Sequence, residues 1–165
     1  MTDRSTPFNA EWNSQARGET PTQQLDRNWL GLLQELRVEQ TGVQLLTGFL
    51  LTLPFQQRFD DVSTFGRAVY LMTVSASIIA TILLIAPVGM HRILFRHKAI
   101  GVLVQVGNRL AIAGLVMLGI ALVGVVALTF DFVVGPLVGI VAALVALSLL
   151  LALWVALPRW YLKSR

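Results

Sequence analysis

Cysteine is missing altogether from the 165 residues, which removes disulfide frameworks, thiol nucleophiles, zinc ribbons and cysteine-ligated clusters. Charge is scarce as well: 13% of residues are charged and 55% are hydrophobic, against roughly 25% charged in an ordinary soluble domain. A soluble monomer is therefore not expected. There is no G-x-G-x-x-G, Walker lysine loop, Ser/His/Asp set or HExxH, so neither catalytic residues nor a cofactor nor an enzymatic activity is expected. The two histidines, His91 and His97, stand six apart and share no helical face as an i, i+4 metal pair would, so no metal site is expected. The formal charge is +4, but its basic residues are scattered between apolar runs and mark membrane sidedness rather than a nucleic-acid groove.

What the sequence has in plenty is long apolar runs. Residues 1–22 are polar with two prolines and read as a disordered tail. Residues 23–165 then form a four-span membrane domain, with spans at about 38–55, 68–90, 110–129 and 134–157, each charge-free in its core. Thr20, Pro21 and Gln23 give a T-x-x-Q capping box, with proline at the first helical position. Behind it Leu25, Trp29, Leu32, Leu33 and Leu36 recur on one stripe, so span one carries an amphipathic extension at its start. Residues 91–109 repeat that pattern before span three, with Phe95, Ala99, Val102, Leu103, Val106 and Leu110 on one face. The fold class expected is all-α: a four-helix transmembrane bundle with amphipathic cytoplasmic extensions before spans one and three. Those extensions either stand above the bilayer and pack together, which is the preferred arrangement, or lie in the headgroup layer.

Of the 13 Lys and Arg residues, all but Arg58 and Arg67 flank one set of span ends: the N-terminal side of span one, the segment between spans two and three, and the C-terminal tail. The positive-inside rule then places both termini and the middle loop in the cytoplasm of a plasma-membrane protein. Trp154, Trp160 and Tyr161 bracket one interface, and Phe55, Phe59, Phe65 and Tyr70 the other. Anionic lipid is the expected contact of the basic face, at about 1 kcal/mol per basic residue.

The remaining candidates are weak individually. Gln40, Gln44 and Thr47 make a polar stripe on one face of span one, and Thr73, Ser77 and Thr81 stack on one face of span two, as a polar path or as interhelical glue. Glu35, Arg37, Glu39, His91, Arg92 and Arg109 gather at the cytoplasmic ends, where Glu39 is a candidate partner for Arg92 or Arg109. Gly114, Gly119 and Gly124, with Gly135 and Gly139, give spans three and four small-residue faces for close packing within one chain or between chains. All nine acidic residues avoid the span cores, where a cation antiporter places a carboxylate. Two roles stay open: assembly, as a homo-oligomer or an accessory subunit of a membrane complex, and a cation or proton pathway.

The stretches ELRVEQTGVQLLTGFLLTLPFQQRF (35–59) and VYLMTVSASIIATILLIAPVGMHRILFRHK (69–98) resemble a family of small four-span actinobacterial membrane proteins of unknown function, over about residues 30–155. Some members carry an automatic sodium:proton antiporter label. The resemblance implies a bacterial plasma-membrane location, no known catalytic residues, and importance for Glu35, Arg37, Gln40, Thr41, Gln44, Pro87, His91 and Arg92.

Overall fold

The computed structural model describes residues 10–94 and 100–164, and every regular element among them is helical. Helix α1 (Ala10–Arg17) falls where a disordered tail is expected. Eight residues are too few to hold a helix alone. Here Arg27 reaches back to bond Glu19 at 3.1 Å and the buried Asn13 at 3.5 Å, and these contacts supply the missing support. Helix α2 (Pro21–Thr52) opens on the expected capping box: the Thr20 amide donates to Gln23 Oε1 at 2.9 Å, and the Gln23 amide to Thr20 Oγ1 at 3.3 Å. It ends three residues before the expected limit of span one, because Pro54 cannot continue the ladder, and two 3₁₀ turns, Leu53–Phe55 and Gln57–Asp61, follow.

Helix α3 (Thr64–Leu94) and helix α4 (Ile100–Val133) both exceed the expected spans. Their 31 and 34 residues correspond to about 46 and 51 Å, well beyond the roughly 30 Å of a hydrocarbon core. Phe95, Ala99, Arg96, His97 and Lys98 lie outside the described residues. Helix α5 (Pro136–Leu151) follows after Val134 and Gly135, and a π-helical turn, Ala152–Ala156, leads into helix α6 (Leu157–Lys163). That wider turn precedes Pro158, which has no amide to give a regular α-helical bond. Three segments, Thr64–Ile93, Ile100–Val133 and Pro136–Lys163, are long and apolar enough to cross a membrane.

The chain forms two compact units, one of residues 1–44 with 80–115 and the other of residues 45–79 with 116–165. In the first, Trp29, Leu32 and Leu36 from the α2 stripe are buried with Val43, Leu84 and Leu103. Gly107 makes room for this packing, since a Cβ there would sit 3.1 Å from both Leu32 and Trp29. In the second, Leu50, Tyr70 and Val74 form a buried cluster, against which Leu46, Phe59, Val125 and Leu128 pack.

Candidate functional site

Two prolines organise the polar contacts. Each lacks the amide that an α-helix uses to satisfy a carbonyl one turn earlier. Pro54 leaves Leu50 O without that partner, and in the second unit the Tyr70 hydroxyl donates to Leu50 O at 3.0 Å. Pro87 removes the helical donor to Leu83 O, and at the next residue, in the first unit, Gln40 Nε2 donates to Leu84 O at 2.7 Å. Thr47 and Ser77 share a hydroxyl hydrogen bond, either atom donating.

The stripe Gln40, Gln44 and Thr47 therefore divides. Gln40 and Thr47 face α3 and are bonded to it, whereas Gln44 is exposed and has no hydrogen bond among the described residues. Thr73 donates to Val69 O within its own helix.

The charge cluster does not join up either. Glu35, Arg37, Arg92 and Arg109 are exposed, and no ion pair links them to one another or to Glu39 among the described residues. The expected Glu39 pairing with Arg92 or Arg109 is not formed: Glu39 Oε2 is buried with no hydrogen-bond partner. His91 instead stacks on Trp29, ring centroids 5.3 Å apart and planes at 17°.

The glycines pack within the chain. A Cβ at Gly114 would stand 2.7 Å from Leu84, at Gly119 3.1 Å from Leu150, and at Gly139 2.8 Å from Ala127 O; at Gly124 it would collide with Thr73. Gly135 differs from these, having nothing within 4 Å and a φ of +133°. It serves the turn between α4 and α5, where the amides of Val134 and Gly135 both donate to Phe130 O.

Two cavities, both in the second unit, escape the sequence reading. One, of 770 Å³, opens between the 53–62 segment and the end of α4, with Arg58, Phe59, Tyr70, Thr129 and Asp131 in its wall. The other, of 200 Å³, lies between α3, α4 and α5 and is apolar apart from Asp131. Leu128 and Asp131 line both. Asp131 fits there because its neighbours are glycines: a Cβ at Gly66 would be 3.3 Å from its Oδ2, and one at Gly139 2.9 Å from its Cβ. The Arg58 guanidinium rests over the Phe132 ring at 4.9 Å. The signal available in the sequence was the charges Arg58 and Asp131 among the aromatics Phe55, Phe59, Phe65 and Phe132.

A family described as of unknown function, DUF6328, matches residues 18–158. The chain belongs to that family. The match takes in α2 through α5 and begins before Thr20, wider than the 30–155 suggested by the two sequence stretches. No curated protein and no solved structure matches the chain. The DUF6328 description carries no activity, so the function is argued from the site alone.

Proposed function

We propose that this DUF6328 protein is a multi-pass bacterial plasma-membrane protein that acts through assembly, with further copies of itself or as an accessory subunit of a membrane complex. The carrying observation is Gln44. The end of α2 lies beside a segment able to cross a membrane, through Tyr70 on Leu50 O and Thr47 with Ser77. Hydrocarbon around α3 therefore surrounds the end of α2 too, which supports a fourth crossing at about 38–55. On that helix the Gln44 amide is exposed without a hydrogen bond among the described residues, and Gly48, one turn on, has open space where a Cβ would be. An amide left unpaired in lipid costs several kcal/mol. Pairing across a helix interface relieves that cost, and a neighbouring glycine lets the second backbone approach.

The distribution of Lys and Arg supports cytoplasmic termini, with the basic ends of α2, α3 and α6 against anionic lipid. Light scattering of the detergent-solubilised chain should give a protein mass above the 18.1 kDa monomer, or show a co-purifying subunit. Gln44→Leu should return it to the monomer, while Gln40→Leu leaves the assembly in place. A wild-type monomer without a companion overturns the proposal.

A proton or cation pathway is the second reading, favoured by the buried and unpartnered Glu39 Oε2. It is weakened by Gln40 and Thr47, the groups a wet path needs, being bonded to α3. Vesicles carrying the protein and a pH dye should show flux that Glu39→Gln abolishes; flux untouched by that change removes the reading.

A further inference from the structure

We propose that the paired cavities of the second unit hold one membrane phospholipid whose head carries both a primary ammonium and a phosphate. The proposal does not depend on assembly; it requires only that the surrounding helices lie in a bilayer. The larger cavity, at 770 Å³, falls within the roughly 300–1,000 Å³ of small-molecule sites. Its wall brings together one cation, Arg58, and one anion, Asp131, from different elements. Neither has an ion pair among the described residues. Arg58 is held over Phe132, and Asp131 is half-buried between Gly66 and Gly139.

Opposite charges left unpaired in one cavity select a ligand that carries both signs. A net anionic head satisfies Arg58 but meets the Asp131 carboxylate, and a cationic amphiphile satisfies Asp131 but meets Arg58. A head with phosphate on Arg58 and ammonium on Asp131 completes both, by charge-assisted hydrogen bonds that strengthen where water is thin. A quaternary ammonium has no N–H for Asp131 and is a poorer fit.

The apolar cavity specifies the rest of the ligand. It starts from the same Asp131 and Leu128 and runs past Val69, Val123, Ile140 and Leu144, with no further polar side chain in its wall. A water-soluble zwitterion would leave this space without a partner, whereas an acyl chain fills it. The two halves together therefore describe an amphiphile with its head at the α4 end and its chain between α3, α4 and α5.

The test uses the full chain in nanodiscs of mixed phosphatidylethanolamine and phosphatidylglycerol with matched acyl chains, and native mass spectrometry of the retained lipid. Wild type should retain phosphatidylethanolamine over phosphatidylglycerol by about tenfold or more, the factor expected from one hydrogen bond to a charged group. Asp131→Asn should bring the two within about twofold, and Arg58→Gln should lower retention of both. Leu128→Trp, which fills the space shared by the cavities, should remove lipid altogether. Equal retention in wild type overturns the proposal, as does a preference unchanged in Asp131→Asn. If Leu128→Trp fails to fold, a phosphatidylethanolamine with a photoreactive chain tests wild type instead. Crosslinks at Phe65, Val69 or within 123–147 support the site, and crosslinks confined to other residues overturn it. Repeating the measurement on Gln44→Leu separates this site from the assembly proposal, since the lipid should stay when the oligomer is lost.

Discussion

A glycine in this chain is worth what its missing Cβ would have struck. Gly114→Ala puts a methyl 2.7 Å from Leu84, and Gly124→Ala drives one into Thr73. Each should destabilise by about 1–3 kcal/mol, read as a fall in melting temperature in detergent. Gly42→Ala meets nothing within 4 Å on a helix and should be neutral or stabilising by up to about 1 kcal/mol. Gly135→Ala fails for another reason, the strain of a side chain at φ +133°. Tyr70→Phe removes the donor to Leu50 O and should cost about 1–3 kcal/mol, because a buried carbonyl is left unpaired. Sequence spacing finds such glycines but does not say which wall each one touches. Gly135 and Gly139 look alike as G-x-x-x-G, yet one makes a turn and the other a backbone contact with Ala127.

Helices are where the sequence reading is strongest, because the apolar runs of α3, α4 and α5 are uninterrupted by charge and long enough to cross a membrane. The capping box at Thr20 and the buried stripe Trp29, Leu32 and Leu36 are also legible, since both depend on neighbours close in sequence. The split of Gln40 from Gln44 is not. These residues are four apart and share a face by spacing alone, but one reaches Leu84 O on α3 and the other stays outside. That bond is testable on thermal stability: Gln40→Leu should cost about 1 kcal/mol in the native chain, and no loss would show that Leu84 O does not depend on it.

For the chain as a whole, the basic residues carry the prediction of sidedness, and the lack of cysteine makes it easy to check. A membrane-impermeant thiol reagent applied to intact cells should label Asp61→Cys and leave Ser14→Cys and Ser164→Cys unlabelled until the cells are opened. All three positions are exposed, so access is limited only by the bilayer. The cavities around Asp131 were beyond the sequence because their walls come from segments more than fifty residues apart, 53–70 and 123–147, and no periodicity links them. The join between α4 and α5 bears on how the protein is made. Only Val134 and Gly135 separate the two, both tied to Phe130 O, which is too little chain for one helix to enter a bilayer while the other waits outside. With both segments long and apolar enough to cross a membrane, the proposed topology has them enter it as one hairpin, so the direction taken by α4 during synthesis also commits α5.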